Sequence, residues 1–510
     1  MAEAGVQFGD RFMAHAELMD RVARAATGFR VLGIGSEDSV ALMLRNDISY
    51  LEASLGARMT GGLPVPINWH LKAEEFSYIL EDCGAKVLVI HSDLLAKLAG
   101  AIPQGVKVLS VKTPELLVER FGLGENGTPH FEGAEDWSSW VEGHDALRDA
   151  PEVETSSMIY TSGTTGKPKG VRRQSATPEQ HAEQVKVAAR IFGLAAGVST
   201  VVPAPMYHSA PNSFCLNAMH LEAFLVIQPR FDAEELLGII DEHKVTRLQM
   251  VPTMFVRLLR LPEEVRAKYD VSSLEYVVHA AAPCPPQIKK AMIDWWGPVI
   301  WEFYGSTEMG SVTHCSSEEA LKYPGTVGRA LPEATVKILD EAGEEVPSGT
   351  IGAVFGRLNT TTDFTYQNDD AKRRSIERNG LITSGDVGYM NEEGFLFLCD
   401  RANDMIISGG VNIYPAEIEG ALIDCPGVHD CAVFGIPDDD FGESIMAVVE
   451  PQPGAKLEAA VVQDYLRERL AGYKVPKRIE FQSDLPREDS GKLFKRRLRD
   501  PYWKDAGRQI

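Results

Sequence analysis

Short β-rich runs alternate with helical stretches along most of this chain: AKVLVI (85–90) and SMIYT (157–161) stand against EQHAEQVKVAARIF (179–192). That alternation predicts α/β layering with at least partly parallel sheets, because parallel neighbours are joined by crossover helices. With 510 residues the chain is too long for one hydrophobic core, so two or more domains are expected. Near residue 400 the texture changes. GFLFLCDRANDMIISGGVNIYPAEIEGAL (394–422) reads as a strand, a polar turn, a strand, a glycine turn and a helix opening at Pro415, a usual first helical residue. Strands at HDCAVFGI (429–436), SIMAVVE (444–450) and RIEFQ (478–482), with a helix at EAAVVQDYLRERL (458–470), complete a small α+β unit. The expected division is residues 1–399, a large domain of layered sheets and helices, and 400–510, a smaller one.

Composition removes several function classes. A net charge of −22 leaves no basic face to neutralise phosphates, so no nucleic-acid partner is expected. The basic tail KLFKRRLR (492–499) does not change this: from residue 401 onward 15 Lys and Arg face 19 Asp and Glu. No run of eighteen apolar residues is present, so no membrane span is expected. MAEAGVQFGDRF carries no basic-then-apolar leader. The seven cysteines form no CxxC, which argues against a disulfide framework or structural metal site and for a cytoplasmic location.

Residues 160–170, YTSGTTGKPKG, hold three glycines, three threonines, Ser162, Lys167 and Lys169. Close-approaching backbone N–H groups, hydroxyls and a cation suit an oxyanion. The loop is not the common phosphate-binding motif, since Thr161 and Pro168 stand where that motif needs glycine and serine or threonine. VRRQSAT (171–177) is no obvious helix, so no helix N-terminus would back the phosphates. Alone, such a loop is as readily a surface turn.

The whole string resembles the signature loop of the adenylate-forming enzymes, the superfamily of acyl-CoA synthetases, peptide-synthetase adenylation domains and luciferases. Further blocks resemble that family in its order: APMYH (204–208), EFYGSTE (302–308), TSGDVGYMNEEGFLFLCDR (383–401), ISGGVNIYPAEIE (407–419) and LPREDSGKLFKRRLR (485–499). The resemblance implies a large AMP-binding domain followed by a small mobile one. It implies a reaction that joins a carboxylate to AMP, releases pyrophosphate and passes the acyl group to a thiol. ATP, Mg2+ and coenzyme A are the implied cofactors.

Residue roles follow from the same resemblance. Thr161, Ser162, Gly163, Thr164, Thr165, Gly166 and Lys169 would hold the phosphates. Glu308, with Thr165, would position magnesium, and Thr307 would donate to the α-phosphate. Tyr304 would lie on the adenine. HAAAPCPP (279–286) stands where the family shows GAAP or GGAP, putting Ala281 and Ala282 beside the nucleotide and an extra methyl at Ala280. Asp386 would bind the ribose hydroxyls, two acceptor oxygens suiting a vicinal diol, with Arg401 beside it and a hinge at Asp400. Lys492 would bridge carboxylate and α-phosphate, while Lys495, Arg496, Arg497 and Arg499 read as surface. Ser408, Gly409 and Gly410 would contact the pantetheine. His208 would gate an acyl pocket, with Gly305 and Ser306 along its channel.

MYHSAPNSF (206–214) offers no acid to pair with an α-ammonium, and an unpaired buried cation is costly. The expected activity is therefore an AMP-forming acyl-CoA synthetase. Its acid would be apolar: a medium or long chain, or an aromatic or ring-bearing acid. Two alternatives stay open, an acyl-AMP ligase loading a carrier protein and a catalytically idle nucleotide sensor. Retention of Thr165, Glu308, Asp386, Arg401 and Lys492 together counts against the idle reading. The expected partners are the acid, ATP and coenzyme A, and the oligomeric state, a homodimer included, is left open.

Overall fold

The computed structural model describes residues 3–124, 133–149, 155–161, 168–401, 404–408, 411–438, 441–487 and 493–504, with backbone alone at 400, 401 and 412. Six strands lie parallel in the largest sheet, in the spatial order Gly5–Phe8, Phe224–Ile227, Ser199–Val202, Arg247–Met250, Tyr276–His279 and Ile300–Ser306. The helices Ser209–His220, Ala233–His243, Pro252–Leu259 and Pro286–Trp296 make the crossovers. One face buries Val201, Leu248, Met250 and Val277 against Leu236, Ile240, Phe255 and Met292. The other buries Val202, Val278 and Phe303 against Ile191, Phe192, Phe214 and Leu216. Burial on both faces is why these strands read as apolar runs without alternation.

At Ile300–Ser306 the sheet changes character. A turn at residues 307–309 returns the chain as Gly310–Cys315, and the strands beyond are antiparallel. Gly305 permits this turn: a Cβ there would lie 2.0 Å from the Gly310 carbonyl oxygen. A second, parallel sheet holds Leu63–Pro66, Ser39–Met43, Ala85–His91, Lys107–Val111 and Glu135–Asp136. A three-stranded sheet, Phe364–Tyr366, Lys169–Arg173 and Ile159–Thr161, anchors both ends of the glycine-rich loop. The helix expected over 179–192 spans Pro178–Phe192. Thr177 and Gln180 form its capping box, and Gly193 takes φ +65° at its end, as helix caps favour.

The strand Phe395–Arg401 stays in the large sheet to its last residue, with Asp386 opposite Arg401. From Ile406 onward the described strands pair only with one another: Val411–Ile413, Ile406–Ser408, Gly442–Pro451, Val428–Asp438 and Arg478–Phe481. Val411–Ile413 is a strand that the glycine-turn reading missed, and the helix expected over 458–470 covers Ala459–Arg467. This unit has its own core of Ile406, Ile418, Leu422, Val433, Val449, Val462 and Leu466. Side chains link it to the larger part: Arg260 Nη2 donates to the His429 carbonyl at 2.6 Å, and Gln287 Nε2 to Asp424 Oδ1 at 2.8 Å.

Candidate active site

Open α/β sheets bind ligands beyond the carboxyl ends of their strands. Here those ends open into a cavity of about 2430 Å3 lined by Ala204, Val251, Ala280, Ala281, Ala282 and the segment Phe303–Thr307. Single small-molecule pockets run to about 1,000 Å3, so this space holds several reactants.

Tyr304 is buried near the end of Ile300–Ser306, and its phenol donates to Asp386 Oδ2 at 2.7 Å. Ser384 Oγ donates to the same oxygen at 2.6 Å. Asp386 follows Gly385, whose φ of +85° suits glycine, and it opens the strand Asp386–Met390. Two sequence-predicted residues thus meet across 82 positions.

Glu308 and Thr307 occupy the turn that ends the parallel half. Glu308 Oε1 accepts from the Tyr366 hydroxyl at 3.0 Å and from Thr161 Oγ1 at 3.5 Å. Both donors are neutral. Burial and the Glu308 charge push the Tyr366 phenol well up, so it stays protonated as a donor. No described lysine or arginine lies within ion-pair distance of Glu308, although the buried Arg173 guanidinium feels its charge. Described residues contain no cluster of three or more potential metal-ligating side chains. A single carboxylate beside a polyphosphate site fits Mg2+, which keeps waters and binds phosphate oxygens rather than an all-protein cage.

His208 caps the helix Ser209–His220 in extended conformation (φ −83°, ψ 150°) and lies against Tyr207 with ring centroids 4.3 Å apart. Both rings line the cavity. Beyond them the cavity runs between helices, along Val187, Ala188, Ile191 and Phe192, Leu216 and Met219, and Met19, Leu55 and Met59. These apolar residues share the space with His15, Arg58, His181, Gln184 and Asn217 from the same helices.

The structure departs from the sequence reading at two places. Lys169 is not in an open loop: it begins a strand and its Nζ binds Asp369 Oδ2 at 2.5 Å. Lys495 and Arg499 are not solvated surface. They share one face of the helix Lys495–Trp503, 14% and 15% exposed, with Lys495 2.8 Å from Glu419 and Arg499 3.7 Å from Asp404. In the alanine run Ala280 carries the extra methyl, and the next residue, Ala281, holds φ +77°. Ser408 is not among the described residues lining the cavity, whereas Arg487, Leu493, Phe494 and Lys495, which flank position 492, are. Ser162, Gly163, Thr164, Thr165, Gly166, Gly409, Gly410 and Lys492 lie outside the described residues, as do the side chains of Asp400 and Arg401.

Sequence reasoning missed Tyr366, Asp369 and Arg173. Only Arg173 carried a signal: in VRR on a strand, alternation turns Val171 and Arg173 to one face.

The family described as AMP-binding enzyme matches residues 2–362, and that described as AMP-binding enzyme C-terminal domain matches residues 417–492. The chain belongs to the AMP-binding enzyme family. Relatives of this AMP-binding enzyme include a feruloyl-CoA synthase of Amycolatopsis sp, 32% identical, with 97% of this chain and 95% of the relative covered. A long-chain-fatty-acid–CoA ligase of Mycobacterium tuberculosis is 31% identical, with 96% and 93% covered. Among solved structures, ATP-bound MatB from Rhodopseudomonas palustris superposes with a TM-score of 0.83 at 27% identity, over 99% of this chain and 97% of that one. The o-succinylbenzoate CoA synthetase of Bacillus subtilis, solved with its acyl-adenylate intermediate, gives 0.80 at 26% identity, over 100% and 96%.

Proposed function

We propose that this AMP-binding enzyme is an AMP-forming carboxylate–CoA ligase: it activates an apolar acid with ATP and transfers the acyl group to coenzyme A. The observation that carries the reading is the meeting of Tyr304, Asp386 and Thr307 around one cavity, with Glu308 next along the chain, in a chain whose near-full-length relatives include a feruloyl-CoA synthase and a long-chain-fatty-acid–CoA ligase. Tyr304 and the alanines hold the adenine, Asp386 the ribose, and Thr307 the α-phosphate. Glu308, with Thr165, would hold Mg2+, which would supply positive charge against the triphosphate that the carboxylate must approach. The unit after the Asp400 hinge brings Lys492 to the adenylation step and Ser408, Gly409 and Gly410 to the thiol step. No helix of the described residues is long and apolar enough to cross a membrane, and we place the enzyme in the cytoplasm.

The apolar residues of the cavity's arm between helices, Val187, Ile191, Phe192, Leu216 and Met219 among them, favour large acids. Burying hydrocarbon stabilises by about 25 cal/mol per Å2, so each added methylene improves binding until the arm is filled. The test is AMP release over a panel of acids, with and without coenzyme A. Activity is expected to rise from acetate toward hexanoate and larger or ring-bearing acids, with amino acids inert. A preference for acetate or any free amino acid overturns the substrate reading. Acyl-AMP that accumulates while coenzyme A is ignored favours transfer to a carrier protein.

A further inference from the structure

Arg173 carries a charge that its neighbours leave without a direct counter-ion. Its Nη2 donates to the Thr307 carbonyl at 2.6 Å and to the Glu308 carbonyl at 3.0 Å, and its Nη1 to the Thr362 carbonyl at 2.9 Å. All three acceptors are backbone. The anion felt most strongly at this site is Glu308, through its charge rather than a direct ion pair; Asp363, felt less, binds Arg373 at 3.0 Å and Arg357 at 3.5 Å instead. Burial pulls the Arg173 guanidinium down to about 10, which still leaves it protonated at neutral pH. A buried cation costs free energy unless its surroundings use it.

Its place in the fold shows what it acts on. Arg173 ends the strand Lys169–Arg173, which leaves the glycine-rich loop, and it lines the same cavity as Tyr304 and Thr307. From there it grips two successive carbonyls in the turn where the sheet changes from parallel to antiparallel. Fixing both peptide planes fixes the direction in which the Thr307 and Glu308 side chains leave the backbone. Lysine cannot reproduce this, because only the planar guanidinium presents donors in a rigid fork.

We propose that Arg173 is a positioning residue of the nucleotide step, holding the Thr307–Glu308 backbone so that the hydroxyl and carboxylate meet metal-bound triphosphate. The proposal rests on the AMP-forming reading above. It is tested in the full chain by equilibrium binding of ATP with and without Mg2+, alongside acid-dependent pyrophosphate release.

Arg173→Ala is expected to weaken Mg2+–ATP binding about ten-fold, the loss of roughly one charge-assisted hydrogen bond. Metal-free ATP binding and the KM for the acid should stay within about two-fold of wild type, within the usual spread of neutral changes. Millimolar guanidinium should restore part of the loss in Arg173→Ala, and Arg173→Lys should fall between that variant and wild type. Wild-type Mg2+–ATP affinity in a folded Arg173→Ala overturns the proposal, as does an equal fall in metal-free affinity. If the alanine variant does not fold, Arg173→Gln, which fills most of the space, is read in the same way. Weakened binding in the variant, with no acid-dependent AMP from the wild type, would reject the ligase reading and leave the positioning role standing.

Discussion

The Tyr304 phenol donates to Asp386 Oδ2 at 2.7 Å, so the residue expected under the adenine holds the one expected at the ribose. Hydrogen bonds to a charged acceptor contribute about 1.5–3 kcal/mol. Tyr304→Phe keeps the ring and loses the donor, and should raise the KM for ATP about ten-fold. Asp386→Ala should raise it further, with the acid KM unmoved in both. Initial rates at varied ATP check this, and a shift confined to the acid KM would contradict it.

Ala281 holds a backbone conformation that L-residues reach at a cost of about 1–2 kcal/mol. Ala281→Gly relieves that cost but loosens the unfolded chain, so a net gain of about 0.5–1 kcal/mol is expected. Ala280 has no positive φ, and Ala280→Gly should destabilise by a similar amount. Urea midpoints of the two variants should move in opposite directions.

Acid should unfold this protein through two histidines. Burial holds His279 well below its ordinary value, and His314 down to about 4. Unfolded, each takes a proton near pH 6.5. Between there and the folded values the unfolded chain binds more protons, so stability rises with pH and is lost as pH falls below about 6.5. Each histidine contributes up to about 1.4 kcal/mol per pH unit in that window. His314→Gln should flatten the dependence above pH 4, read from thermal midpoints across pH 4–7.

Lys492→Ala should slow acyl-AMP formation by orders of magnitude, on the order of the 10²–10³ seen for a lost transition-state donor, and spare transfer from preformed acyl-AMP to coenzyme A. A bulky residue at Gly409 or Gly410 should do the reverse. Separate assay of the two half-reactions decides, and equal losses in both variants would refute a division of labour.

The strands were legible where burial makes them so: AKVLVI is buried at all positions but Lys86, and SIMAVVE at nearly all. Motif chemistry singled out Tyr304, Thr307 and Asp386, which the fold brings to one cavity. What escaped were partners. Alternation shows that Arg173 and Val171 share a face, but not that the Thr307 carbonyl, 134 residues on, lies opposite. The inward turn of Lys495 and Arg499 was hidden because KRRLR reads as a charge run. Packing of Leu498 and Tyr502 on the face of Phe434 and Met446, with Trp503 Nε1 donating to the Gly435 carbonyl at 3.0 Å, orients that helix. The strain at Ala281 was invisible because alanine advertises no left-handed backbone.

Because the described strands from Ile406 onward bond only among themselves, reorienting that unit would cut no described sheet ladder. What it must release are contacts such as Arg260 with His429 and Gln287 with Asp424, each worth about 1 kcal/mol net. On the proposed two-step reaction, a barrier built from a few such exchangeable bonds would be crossed by heat alone and reset by whichever reactant is bound, presenting two working faces to one cavity in turn.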